Sequence, residues 1–289
     1  MTQQIGFLVH PGEQAATESA IAHAVACGYG VWTAVADAET RIEEQAASTV
    51  LLVTVGGDGT LLYGARLAAP RNIPVLGINR GRLGFLTDIE VPHIPACLDA
   101  FQAGRCHLQR RAMVSVSVSS RAPVEPVLAL NDVAVKAHGV NLVRLSVDAD
   151  DERFGEFDAD GMVVATATGS TAYALSAGGP PIDPRVRALV VVPLAPHAVI
   201  TRPVVLPEMT TVRVGVIHGT VFAAADGQLL GILGDGDEIT VAPGPELSMV
   251  RFADSPTFLR RLHDKVRFGM PLKPLDHRPP EGPAPLEVP

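Results

Sequence analysis

The sequence predicts an α/β N-terminal domain with an open parallel sheet, followed by a β-rich, sandwich-like C-terminal domain. Two observations carry this. Over the first part of the chain, up to residue 105, short apolar runs alternate with segments of helical spacing. From residue 106 onward, period-two and short apolar runs succeed one another, punctuated by Gly, Pro, Asn and Asp.

Ile5 to Val9 is apolar and stops at Pro11 and Gly12, which reads as a buried strand. Thr17 to Cys27 has helical spacing and ends before Gly28, a C′ glycine. Val31 to Val35 is a second strand. Val50 to Val55 is a third, apolar throughout and so buried on both faces. It runs into Gly56, Gly57, Asp58, Gly59 and Thr60, and Leu61 to Ala69 reads as the helix that follows. Pro74 to Ile78 is a fourth strand. Val114 to Val118 alternates strictly, and further strands are expected at 142–147, 163–165, 189–192, 211–216 and 238–242. Residues 258–268 have helical spacing. The expected units are 1–105, 106–252, a segment 253–270 returning to the first domain, and a disordered proline-rich tail over 271–289.

The bulk numbers narrow the function. With 289 residues, 47% of them hydrophobic, the chain can bury substantial cores. A net charge of -8 with no basic stripe argues against a nucleic-acid partner. Lysine occurs only as Lys136, Lys265 and Lys273, so no lysine-based phosphate loop is present. Cys27, Cys97 and Cys106 are widely spaced and form no CxxC pair, which reads as reduced thiols. The histidines show no i, i+4 pairing with one another and no accompanying cysteine pattern, so no protein-held metal is expected. The N-terminal stretch lacks a basic n-region and a long apolar h-region, and the run from Ala188 to Ile200 is broken by Pro193 and Pro196. No signal peptide and no membrane partner are expected, and the location reads as cytoplasmic.

Two stretches carry chemistry. Gly56 to Thr60 joins an apolar strand to a helix, where free backbone N–H groups and the helix dipole favour an anion. A carboxylate is out of place there unless Asp58 faces a hydroxyl that attacks a phosphate, orienting it and taking its proton. A plain Asx-turn explains the same residues equally well. The second stretch, Asp160 to Pro180, is a short strand leading into a loop dense in hydroxyls: Thr166, Thr168, Ser170, Thr171 and Tyr173. Such a loop suits ribose hydroxyls, amides and pyrophosphate oxygens. A helix capped by Thr168 or Ser170 and running through Ser176 accounts for one hydroxyl and leaves the others unexplained.

In order, Gly56 to Thr60, Asn131-Asp132, Asp160 to Pro180, and Ala195 to His197 with Arg202-Pro203 closely resemble the motifs of the NAD kinase family. Gly77 to Leu86 and Asp226 to Gln228 are similar to further family segments. The resemblance spans roughly residues 5 to 270 and implies phosphorylation of the adenosine 2′-hydroxyl of NAD by ATP. It implies Asp58 as proton acceptor, with Gly57, Gly59, Thr60 and Phe85 against the nucleotide. It implies Asn131 and Asp132 at the adenosine end and Asp160 on the nicotinamide carboxamide. Thr168, Ser170, Thr171, Ala172, Tyr173 and Ser176 would wrap the dinucleotide. Asn141, Asp158, His197 and Gln228 would be further contacts. Mg2+ would arrive with the triphosphate, and the resemblance implies a homodimer or homotetramer. Asp132 stands where Glu is usual, Ala167 where Pro is usual, and Asp158 where a basic or neutral residue is common. The last adds negative charge near Asp160. A lipid kinase sharing the GGDGT domain and a non-catalytic NAD(P) sensor are the alternatives. A nucleophile elbow at Ser176 is set aside, because the expected helix places that serine away from a strand end.

Overall fold

The chain order of elements follows from the patterning above. Described in the computed structural model are residues 2–35, 38–79, 84–87, 89–119, 124–197 and 201–268. The N-terminal elements are β1 (Gln4–Val9), α1 (Gln14–Ala26), β2 (Gly30–Ala34), α2 (Ala38–Gln45), β3 (Thr49–Gly56), α3 (Asp58–Ala68), β4 (Val75–Asn79), β5 (Ile89–Glu90) and α4 (Ile94–Gln102). Then follow β6 (His107–Ser119), β7 (Val124–Ala129), β8 (Asp132–Ala137), β9 (Val143–Ala149), β10 (Glu152–Ala159) and β11 (Gly161–Thr166). The remainder is α5 (Tyr173–Ser176), β12 (Ala188–Leu194), β13 (Val204–Pro207), β14 (Val212–His218), β15 (Val221–Ala225), β16 (Gln228–Leu233), β17 (Glu238–Arg251) and α6 (Phe258–Val266). The described residues up to 256 form one compact unit, and those from 257 to 268 belong to a second. In the second, Thr257 caps α6 by accepting from the Arg260 N–H at 3.3 Å. The expected tail, 271–289, lies outside the described residues.

The parallel strands run in the order β4-β3-β1-β2. Period-two side-chain direction splits them between two cores. Ile5, Phe7 and Val9 of β1 pack with Ala20 and Ala24 of α1 and Ile94 and Leu98 of α4 on one face. Leu8 and Leu52 pack with Ile42 of α2 and Leu61 and Ala65 of α3 on the other. This is a three-layer α/β/α arrangement with the strands buried on both faces, as all-apolar runs require.

The β-rich half is a two-sheet sandwich. β6, β9, β14 and β17 belong to the same eleven-stranded sheet as the parallel strands, and a six-stranded sheet, β13-β12-β11-β8-β15-β16, lies against them. Inward-facing Val116, Leu145, Val214 and Ile239 meet Val135, Val164, Val191 and Ala223 in one core. The sequence places the return to the first domain after Phe252. Strand β17 makes such a return earlier, pairing with β4 in parallel through Met249 and Val75. The sequence pattern does not predict α2, α4, β5, β7, β8, β10, β13, β15 and β16, which are short or carry mixed burial patterns that mimic loops.

Candidate active site

Strand connections reverse direction across the sheet between β1 and β3, and in open α/β sheets ligands bind in the crevice at such a switch point. A cavity of about 530 Å³ opens there, lined by Val9 at the end of β1, by His10 and Pro11 after it, and by Gly57, Gly59, Thr60 and Tyr63 after β3. Helix α3 begins at Asp58, and no side chain caps its N-terminus. That leaves a positive dipole end facing the crevice. A Cβ added to Gly57 or Gly59 would meet nothing within 4 Å. Packing within the protein does not call for these glycines, whereas a ligand lying against the backbone does.

The carboxylate of Asp58 is held in place. It accepts from the N–H of Phe85 at 3.0 Å and of Leu86 at 3.3 Å, and from Thr87 Oγ1 at 3.1 Å. A Cβ on Gly84 would come within 2.1 Å of Asp58 Oδ1, so this approach needs glycine. An ionised carboxylate has about four acceptor positions, and three are engaged. The plain Asx-turn is therefore not what is seen: the carboxylate bonds to a segment 27 to 29 residues away. Arg80 to Leu83, part of the family-like segment 77–86, lie outside the described residues.

A second cluster forms where β8 and β11 meet. Asp226, at φ 48°, accepts from the N–H groups of Leu130, Asn131 and Asp132 at 2.8, 2.7 and 3.2 Å and donates its own N–H to the Asp132 carbonyl. Burial raises the Asp226 carboxyl above its ordinary range despite these donors. Burial, together with the Asp226 charge, pushes Asp132 up to about 6, against a lowering bond from the Tyr173 N–H. Thr166 Oγ1 donates to the Leu130 carbonyl at 2.6 Å and accepts from the Gly169 N–H at 3.1 Å. A Cβ on Gly169 would lie 1.9 Å from the Asn131 carbonyl oxygen, so the two loops touch backbone to backbone.

The hydroxyl-rich loop divides into braces and open groups. Ser170 is fully buried; its Oγ lies 2.7 Å from the Ala167 carbonyl and 3.2 Å from that of Ile182, and it accepts from the Ile182 N–H at 2.8 Å. Placed in the binding set by the sequence reading, it instead braces the loop. Thr168 is also buried, beside Arg111, whereas Thr171, Ala172 and Tyr173 are half-buried and Ser176 is exposed. No side chain caps the 3-10 turn over 169–171 or the four-residue α5, so the capping expectation for Thr168 and Ser170 is corrected. Thr168 Oγ1 instead accepts from Arg111, and Ser170 Oγ pairs with the Ala167 and Ile182 backbone.

Other expected residues lie elsewhere. Asp160 is exposed at the far end of β11; its N–H donates to the Leu194 carbonyl and its carbonyl accepts from Ala137. The strand between Asp160 and Thr166 separates the two ends by about 17–20 Å. Asp158 and His197 share the far end, with the His197 N–H on the Asp158 carbonyl, and Asn141 lies just before Val143, which pairs with Ala159. Gln228 is exposed at the start of β16, close to Asp226. The extra negative charge expected from Asp158 is answered: Arg144 donates to both its oxygens at 2.8 and 2.9 Å and holds its carboxyl below the ordinary range.

Sequence reasoning missed a buried polar line joining the two clusters. Arg251 donates to the Leu86 carbonyl at 3.3 Å and to Gln109 Oε1 at 3.4 Å; Arg111 donates to the same oxygen at 2.9 Å and to Thr168 Oγ1 at 3.4 Å. Both arginines are about 95% buried, where unpaired guanidinium charge would be costly. The signal was their inward register in β6 and β17, visible only once the strands were paired.

Residues 5–106 match the ATP-NAD kinase N-terminal domain and residues 130–251 the ATP-NAD kinase C-terminal domain. The chain belongs to the NAD kinase family. It is 40% identical to the NAD kinase of Heliobacterium modesticaldum over 223 residues, 76% of this chain and 79% of the relative. It is 38% identical to that of Moorella thermoacetica over 232 residues, 78% and 74% of the two chains. Among solved structures, a yeast NADH kinase complexed with NADH matches with a TM-score of 0.83 at 25% identity, covering 95% of this chain and 90% of that one. An NAD kinase from Archaeoglobus fulgidus in complex with ATP matches with a TM-score of 0.72 at 28% identity, covering 92% and 99%. Among the described residues no helix of this kinase is long and apolar enough to cross a membrane.

Proposed function

We propose that this enzyme transfers the γ-phosphoryl group of ATP to the adenosine 2′-hydroxyl of NAD, giving NADP and ADP. One observation carries the reading: an uncapped helix terminus and two glycines unneeded by packing border a cavity, and between those glycines stands Asp58, whose carboxylate has one acceptor position to spare. The triphosphate would lie along Gly57, Gly59 and Thr60. Asp58, fixed by the Phe85 to Thr87 segment, would accept a hydrogen bond from the 2′-hydroxyl and take its proton as the phosphorus–oxygen bond forms. Because phosphoryl transfer is loose, alignment contributes more than base strength. The NADH and ATP named for the two structural neighbours support this pairing of ligands.

Asn131 and Asp132 would receive the adenosine end, with Thr171, Ala172, Tyr173 and Gln228 around the dinucleotide. Asp160 would accept from the nicotinamide carboxamide, and Asn141 and His197 would lie at that same end. Mg2+ would be carried on the triphosphate, where it neutralises phosphate charge. Among the described residues no group of three His, Cys, Asp or Glu ligands gathers at the Gly57 to Thr60 loop, which suits a cation held by phosphates and water. A cytoplasmic homodimer or homotetramer is part of the proposal. Leu229 and Ile232 are exposed on the edge strand β16 of the six-stranded sheet and Phe222 on its neighbour β15, where it pairs with Lys136, whose ammonium sits over the Tyr173 ring.

The test couples NADP formation to an NADP-specific dehydrogenase. Wild-type protein should turn over NAD with ATP, and Asp58→Asn should lose about a hundredfold in kcat while remaining folded. Turnover of the variant near the wild-type rate would remove Asp58 from the chemistry. NAD binding without turnover by wild-type protein would favour a sensor.

A further inference from the structure

We propose that His23, Cys27 and Asp99 form a transition-metal site of the zinc type, remote from the phosphoryl-transfer site. His23 and Cys27 stand four residues apart at the C-terminal end of α1, which puts both on one face of the helix. Asp99 comes from α4, which packs on the same core as α1. This grouping departs from the histidine-pair and CxxC spacings by which a metal site shows in a sequence, because the third ligand comes from a helix some seventy residues away.

The three ligand atoms all lie within 4.8 Å of one another. Cys27 Sγ is 3.7 Å from Asp99 Oδ1, and His23 Nε2 is 2.7 Å from the same oxygen. Around a tetrahedral ion with the usual zinc bond lengths, neighbouring ligand atoms sit about 3.3–3.7 Å apart. The sulfur–oxygen distance already matches, and the nitrogen–oxygen pair must open by roughly half an ångström. A nitrogen, a sulfur and an oxygen donor together suit zinc or cobalt and not magnesium or calcium, which take oxygen ligands. His23 and Asp99 are partly exposed, so an ion can enter from solvent and complete its shell with water. Gln102 Nε2 donates to the Cys27 carbonyl at 3.1 Å, a second tie from α4 that holds the thiol-bearing residue in place. A simple His–Asp ion pair explains two of the three groups and leaves the convergence of the thiol on the same oxygen without a reason.

The site has no part in phosphoryl transfer. His10 and Pro11, which border the nucleotide cavity, precede α1, and its thirteen residues carry the chain about 20 Å away before Cys27 is reached. Binding would displace the thiol proton into solvent, and the ion would then clamp α1 to α4.

Titrating metal-stripped full-length protein with Co2+ tests this. At one equivalent, an intense near-ultraviolet thiolate-to-cobalt band should rise and saturate, and Zn2+ should displace it while raising the melting temperature. Cys27→Ser should abolish the band, and His23→Ala and Asp99→Asn should each weaken Co2+ binding by about tenfold or more. Cys97→Ser and Cys106→Ser should bind as wild type. Stripped of transition metal, Cys27→Ser should melt as stripped wild type does and, supplied with Mg2+ and ATP, phosphorylate NAD at the same rate, which shows the variant is folded. No thiolate band, a band that survives Cys27→Ser, or unchanged affinity in both His23→Ala and Asp99→Asn would overturn the site.

Discussion

Gly57 and Gly59, just past β3, border open space, whereas a Cβ added to Gly169, after β11, would lie only 1.9 Å from the Asn131 carbonyl oxygen. Both loops are rich in glycine and hydroxyls, and both follow a buried strand. The N-terminal loop is held through Asp58 and presents its backbone to a cavity. The C-terminal loop directs Thr166 and Ser170 inward, onto Leu130, Ala167 and Ile182, and so is built as a rigid wall. Glycine in the first loop makes room for a ligand. In the second it makes room for the protein itself.

The contrast is tested most severely by placing a methyl group in each loop. Gly169→Ala should destabilise the protein by about 3 kcal/mol, because the obstacle is backbone that cannot swing aside. Gly57→Ala should stay within about 0.5 kcal/mol of wild type and should instead raise the KM for ATP. Chemical denaturation of the two variants side by side measures the difference. Equal stability would mean the loops do not differ as described.

Next in size is the carboxylate at the edge of the wall. Asp132 is raised to about 6, so the folded state binds its proton more tightly than the unfolded chain does. Such a group favours folding below the unfolded pKa, near 4, and that advantage is lost as pH rises through about 6. Asp132→Asn removes the ionisation and leaves Asp226, with Arg66 near it, as the remaining local charges. The variant should gain up to about 3 kcal/mol over wild type at pH 7.5 and little at pH 4. Stability curves that run parallel across this range would show that Asp132 is not strained by its surroundings.

The smallest effect separates brace from contact. Ser170→Ala should cost about 1–2 kcal/mol in stability, since the Ile182 N–H loses its acceptor, with little change in the KM for NAD. Thr171→Ala, at a half-buried position, should show the reverse pattern. A Ser170→Ala protein with unchanged melting and a raised KM for NAD would put that hydroxyl back on the ligand.

Local spacing was sufficient for a large part of the fold. An apolar run bounded by glycine or proline admits few conformations, so β1, β3, β4, α1 and α3 were readable within a few residues of their ends. The GGDGT stretch was read at its true place, between a buried strand and a helix N-terminus, because both neighbours announce themselves in composition. The order of motifs along the chain pointed to the family that the comparisons then showed.

What the tertiary structure decided were matters of pairing. Asp226 clamps a loop about 95 residues earlier, Arg251 reaches back to Leu86, and Arg144 neutralises an aspartate that in the sequence looks uncompensated. Ser170 and Thr171 are adjacent and chemically alike, yet one is sealed against Ile182 and the other is half-open. Period and propensity act over a few residues and set the backbone. Which hydroxyl is buried, which carboxylate keeps its proton and which helix faces Cys27 depend on strand register and layer packing, where residues meet across long stretches of chain.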